Sequence, residues 1–67
     1  FEVVQQRLLK DKHLKLTLKK GGARFDAIRF NHADGAPERI RAAFRLDINE
    51  WRGEANVQLV LEHFEAA

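Results

Sequence analysis

The 67-residue sequence has no cysteine, methionine, serine or tyrosine, one proline, and glycine at only four positions. Without cysteine there can be no disulfide staple and no thiolate metal site. Without serine or cysteine, and with Thr17 inside a strand pattern, a nucleophile triad is excluded. No run approaches the ~20 apolar residues of a membrane span, and no charged-then-apolar leader is followed by a small-residue cleavage site. The expectation is a soluble, intracellular protein with no membrane partner. A chain this short buries only about 60% of the surface that its unfolded form exposes. Domains of this size usually need a staple, a metal, a very regular core or a partner. Residues 1–67 therefore read as one domain, a fragment of a larger protein, in keeping with the absence of an initiating methionine at Phe1.

What is present is charge, unevenly spread. Residues 1–30 hold eight Lys and Arg against three Asp and Glu, a balance of +5, whereas residues 31–67 hold four against seven, or −3. A basic half on a domain of net charge +2 predicts one electropositive surface, the usual footprint of a polyanion partner. Solvated strand faces that carry charge for solubility are the alternative.

The alternation of apolar and polar residues sets the fold class. In His13–Lys20, Leu14, Leu16 and Leu18 share one face and His13, Lys15, Thr17 and Lys19 the other, the period of two of a half-buried strand. Gly21 and Gly22 supply the positive φ angles of a tight hairpin. The returning segment, Arg24 to Phe30, sets Asp26, Ile28 and Phe30 against Phe25, Ala27 and Arg29, which predicts a bulge or a strand buried on both faces. Phe30 is expected in the core with Ile28, and Phe25 outside. Phe1 to Leu9 reads as a first strand with a helix as the competing reading, and Lys10 to Lys12 as a turn. Asn31 to Glu38 is turn chemistry. Ile40 to Ile48 alternates again, Asn49 to Gly53 reads as a loop, and Glu54 to Phe64 as the last strand.

Five strands with short connections and no crossover helix predict an all-β, antiparallel sheet. Closure into a barrel removes edges that a chain of this size cannot cover. Rolling up would pack the leucine face against Ile40, Phe44, Leu46, Leu59 and Leu61. The expected architecture is a small five-stranded antiparallel barrel of the oligonucleotide/oligosaccharide-binding (OB) fold. An SH3-like barrel fits the periodicity equally well.

Beyond periodicity, particular residues stand out. These are Lys12-His13-Leu14-Lys15, the run Ala27-Ile28-x-Phe30-Asn31, and Asn49-Glu50 before Gly53 with Gln58-Leu59. In this arrangement the chain resembles, from Arg7 to Glu62, the OB domain of the RecJ family of single-strand-specific exonucleases. The resemblance implies a parent protein of the DHH phosphoesterase type, acting on single-stranded DNA from the 5′ end with divalent Mg or Mn. Its metal ligands would lie on other domains, and their Asp and His motifs are not in this sequence. It further implies a bacterial cytoplasmic protein of DNA repair and recombination, whose partners are single-stranded DNA and the catalytic domains of the same parent chain. The chain alone is expected to bind and not to cleave, and to hold no cofactor.

OB barrels read single strands through a basic groove over strands two and three and through the flanking loops. That assigns Lys10 and Lys12 to one loop, His13, Lys15 and Lys19 to strand two, Arg24 and Arg29 to strand three, and Trp51 and Arg52 to the other loop. Cations release counterions from phosphates, and an exposed ring offers a base a stacking partner. Trp51 either stacks on a base or caps the barrel. Arg41 and Arg45 either extend the groove or pair with Asp47 and Glu50. His13, His32 and His63 lie on separate segments without ligand spacing, which argues against a metal site. The alternative function is a protein-interaction barrel that docks on the catalytic core or a repair partner.

Overall fold

The computed structural model describes the backbone of residues 1–67 and every side chain except those of Asn49 and Trp51. Five strands form one sheet: β1 (Glu2–Leu9), β2 (His13–Lys20), β3 (Ala23–Arg29), β4 (Ile40–Trp51) and β5 (Glu54–Ala66). The all-β class and the strand reading of the N-terminal segment agree with the sequence pattern. At the first hairpin, Lys20 pairs with Ala23 and Gly21 and Gly22 take φ of 59° and 85°, as a two-residue turn with the twist of its strands requires.

Two expectations about the strands are corrected. The sheet order is β1-β2-β3-β5-β4 and it is mixed, because β3 and β5 run parallel with Asp26, Ala27 and Ile28 opposite Gln58, Leu59 and Val60. The connection that makes this possible is not a helix but residues 30–39 together with β4, which lies outside β5 as its hairpin partner. The second correction concerns Asn49 to Gly53. Pairing continues to Trp51 opposite Glu54, and the turn is Arg52-Gly53 alone, both at positive φ.

The core lies on one face. Leu14, Leu16, Leu18, Ala27, Ile40, Leu59 and Leu61 are buried, with Phe1, Val3, Phe25, Ala36, Ala42 and Phe64 packed around them. Each fully buried leucine or isoleucine stabilises the fold by roughly 1.5–3 kcal/mol. On β5 the register slips by one residue between the pairs Ala43–His63 and Phe44–Leu61. That slip keeps both Leu61 and Phe64 turned toward the core despite their odd spacing.

Phe44 and Leu46, expected in the core, are 42% and 64% exposed. Strand lengths explain this: β1 to β3 span 8, 8 and 7 residues, whereas β4 and β5 span 12 and 13. The distal half of the β4–β5 hairpin thus runs past the strands that would cover it, and Ile48 and Val57 are exposed there as well. Phe25 and Phe30 exchange their expected places. Leu16 pairs with Ala27 and Leu18 with Phe25, so Phe25 shares the leucine face, and Phe30 falls outside at 42% exposure. β3 has no bulge against β2 and is instead buried on both faces, through Ala27 and Ile28.

The sheet does not close into a continuous barrel. Its outer strands meet through the single antiparallel bridge Glu2–Arg39, with Val3 N–H donating to the Glu38 carbonyl at 2.7 Å and Ile40 N–H to the Phe1 carbonyl at 2.9 Å. Further along β1, residues 32–39 run beside the strand. His32 N–H donates to the Lys12 carbonyl, and the Gln6 side chain bonds Ala36 twice, accepting from its N–H at 2.7 Å and donating to its carbonyl at 2.8 Å. A glutamine amide here stands in for a strand neighbour. Gln6→Ala is expected to cost about 1–2 kcal/mol, the worth of two such bonds, read as a lower denaturant midpoint at unchanged slope. Gln6→Glu, which loses the donor and sets a carboxylate against the Ala36 carbonyl, should cost at least as much.

Candidate nucleic-acid interface

Cross-strand partners share a face, so the register lays out the outer surface row by row. One row crosses all five strands: Arg7, Lys15, Ile28, Val60 and Arg45. Ile28 and Val60 at its centre are only 7% and 6% exposed although they lie on the face opposite the leucines. The row is therefore an apolar strip with two cations on one side and one on the other. A shallow depression of about 290 Å³ opens at its Arg7–Lys15 end, lined by Gln5, Gln6, Arg7, Lys15, Leu16 and Thr17.

The neighbouring rows differ in charge. Toward the β1–β2 turn lies Leu9 opposite His13, with the Phe30 ring against the His13 ring at 5.2 Å and 78°. His13 Nδ1 accepts the Asn31 N–H at 3.0 Å, which fixes the imidazole at the edge of the sheet. On the other side lies Gln5, Thr17, Asp26, Gln58 and Asp47, whose two carboxylates interrupt the basic surface. Beyond it, Lys19 pairs with Glu2 and with Arg24.

The residues that the sequence assigns to binding are thus only partly brought together. His13 and Lys15 lie in adjacent rows, while Lys19 and Arg24 form a second basic group behind Asp26. Lys10 and Lys12 are exposed in the β1–β2 turn, where Lys10 and Asp11 have φ of 51° and 55°. Arg29 does not join them. It pairs with Leu14 on the core-facing side, half-buried, and its Nη1 donates to the Phe30 carbonyl at 3.2 Å. Arg52 lies in the β4–β5 turn, distant in register from the Lys15 row. The Trp51 side chain, expected either to stack or to cap, lies outside the described residues.

Two side chains of this face escaped the sequence reading, Arg7 at one end of the central row and Phe30 as an exposed ring, and Arg45, at the other end, was left between extending the groove and pairing with Asp47 and Glu50. The parity of β3 against the leucines of β2 would have placed Phe30 outside. Arg45 requires the β3–β5 parallel pairing, which no local pattern encodes. Arg41, the other arginine considered for the groove, lies 3.9 Å from Glu65 and not beside Asp47 or Glu50. Among the described residues no ion pair holds Lys12, Lys15, Lys19 or Arg24, and no three of His, Asp and Glu gather into a metal-ligand set.

Because Asp26 flanks the Lys15 row, it opposes any phosphate bound there. A charge about 7 Å away in water contributes roughly 0.6 kcal/mol. Asp26→Asn should therefore strengthen polyanion binding about two- to threefold, measured by oligonucleotide titration at low salt.

The chain is similar to bacterial proteins described as single-stranded-DNA-specific exonuclease RecJ. It is 39% identical over 70 residues to that of Dickeya dadantii, covering 94% of this chain and 12% of the relative. For Escherichia coli the identity is 34% over 70 residues, with the same coverage. For Haemophilus influenzae it is 36% over 74 residues, covering 97% of this chain and 13% of the relative. The chain thus spans about one eighth of the length of these curated relatives. No solved structure matches it significantly. The model of the RecJ OB domain matches residues 1–63, and with relatives of this identity along nearly its whole length the chain belongs to the RecJ OB domain family.

Proposed function

We propose that this chain is the single-stranded-DNA-binding module of a longer RecJ-like exonuclease of the bacterial cytoplasm, acting in DNA repair and recombination. It holds the strand for a catalytic core carried by other parts of the parent protein. The observation that carries the reading is the row Arg7, Lys15, Ile28, Val60 and Arg45 across the outer face. Cations at its ends meet phosphates by counterion release, while Ile28 and Val60 between them are buried and fix the spacing of those cations across the sheet. Phe30 and His13, one row away, add rings of the kind on which bases stack. In this reading the role of the outer face is positioning. Hydrolysis, and the divalent Mg or Mn it would use, belong to the rest of the parent.

Titration of the chain with labelled oligonucleotide at low and moderate salt tests this. Single strands should bind better than duplex, with affinity falling steeply as salt rises. Equal binding of both forms, or no binding at low salt, would count against it. A second reading, a module that docks on the catalytic domains or a repair partner, draws on exposed Leu46, Ile48 and Val57. Lys15→Glu with Lys19→Glu separates the two. Loss of DNA binding with intact association to the core supports the first, and the reverse supports the second.

A further inference from the structure

The shallow depression between β1 and β2 on the outer face is built around a like-charge pair. Arg7 and Lys15 stand directly opposite each other, and Gln5 and Thr17 form the next outer pair. Gln6 and Leu16, the pair between them in register, lie at the floor of the 290 Å³ space. Cross-strand partners have Cβ atoms about 4.5–5.5 Å apart, a distance at which like charges destabilise a sheet. Other cations of the sheet have an acid at hand: Lys19 stands opposite Glu2, and Arg41 lies 3.9 Å from Glu65. Arg7 and Lys15 make no ion pair among the described residues.

Simple alternation would not have produced this pair. Val3 packs against the core and stands opposite Leu18. In an unbroken strand Arg7, four residues on, would share that face and fall opposite Leu14. Instead the register slips between Val3 and Gln5 and leaves Val4 without a partner, so that Arg7 turns outward beside Lys15. Bulges of this kind re-aim side chains and are over-represented next to active sites.

We infer that this depression is a subsite for one nucleotide, with a phosphate between Arg7 and Lys15 and the uncharged sugar and base against Gln5 and Thr17. The inference rests on the reading of the outer face as a single-strand surface, and it adds where on that face one nucleotide sits and which way round. An uncompensated pair of cations suits one shared anion. Gln5 and Thr17 offer an amide and a hydroxyl, donors and acceptors for a sugar or a base edge. Asp26 stands opposite Thr17 on β3 and repels a phosphate from that end. Charge therefore runs from positive through neutral to negative along the site, which orients the nucleotide. The volume is at the lower end of ligand sites, roughly 300 Å³, and suits a single unit.

Amide-shift titrations of the labelled chain at low salt with deoxycytidine monophosphate, inorganic phosphate and deoxycytidine test this. The mononucleotide should move Gln5, Arg7, Lys15 and Thr17. Phosphate should move Arg7 and Lys15 alone, and the nucleoside none of them. Thr17→Val, which removes only the hydroxyl's hydrogen bonds, should weaken mononucleotide and oligonucleotide binding about two- to tenfold, the worth of one such bond. Its slope of log affinity against log salt should stay unchanged, whereas Arg7→Ala should lower the slope. The inference is overturned if the mononucleotide leaves the four residues unmoved, whether or not an oligonucleotide binds. It is equally overturned if phosphate moves all four alike, if shifts centre on Lys19 and Arg24, or if Thr17→Val changes nothing. Failure of the single-strand reading has a different signature: the mononucleotide moves the four residues, but single strands bind no better than duplex.

Discussion

Leu16→Ala is expected to remove a large share of the chain's stability, while Leu46→Ala leaves it nearly unchanged. The two leucines belong to the same inner row, in which Leu16, Ala27, Leu59 and Leu46 lie side by side across four strands. Leu16 is 1% exposed and Leu46 64%. Truncating a buried leucine costs about 2–5 kcal/mol. A domain of this length has only about 3–10 kcal/mol of stability in all. The Leu16 variant should therefore lose on the order of 10 °C or more in melting temperature, whereas the Leu46 change falls within about 0.5 kcal/mol. Thermal unfolding followed by circular dichroism measures both. Equal losses would mean that the hairpin is packed in the isolated chain, contrary to the exposed face described above.

The second large effect concerns charge. Replacing Arg7, Lys15 and Arg45 together by alanine removes the cations of one row while leaving Ile28 and Val60 in place. Each phosphate contact to a single strand adds about 0.7 to the slope of log affinity against log salt concentration. The triple variant should therefore lower that slope by about 2 and weaken binding on the order of a hundredfold at low salt. Replacing Lys19 and Arg24, which sit behind the carboxylates of Asp26 and Asp47, should do less. All three positions of the triple variant lie outside the core cluster, so unfolding should not account for the loss. If the Lys19 and Arg24 pair carries the salt dependence instead, the strand runs along β2 and not across the sheet.

The contrast between rows shows how far local pattern reaches. β2 was fully legible, because three leucines at a spacing of two leave one solution for its faces, and Gly21-Gly22 leaves one for its turn. The membership of Lys15 in a basic surface followed from the same alternation. The parallel pairing of β3 with β5 was not legible. It depends on β4 being laid outside its own hairpin partner, a choice made by long-range packing and not by any segment. That pairing sets Ile28 beside Val60 and carries the row out to Arg45. The exposure of Leu46 was hidden for a related reason, since its alternation is that of a core strand and only the shorter lengths of β1 to β3 leave it uncovered. Phe30 was misplaced by its grouping with Ile28: Ile28 is buried on the outer face of β3, whereas Phe30, one residue past the end of that strand, is exposed.

The most direct measurement is an amide-shift titration of the labelled chain with a short single-stranded oligonucleotide. The account predicts shifts concentrated at Arg7, Lys15, Ile28, Phe30, Val60 and Arg45, with Leu46, Ile48 and Val57 unmoved. Shifts centred on Leu46, Ile48 and Val57 with the outer row silent would contradict it.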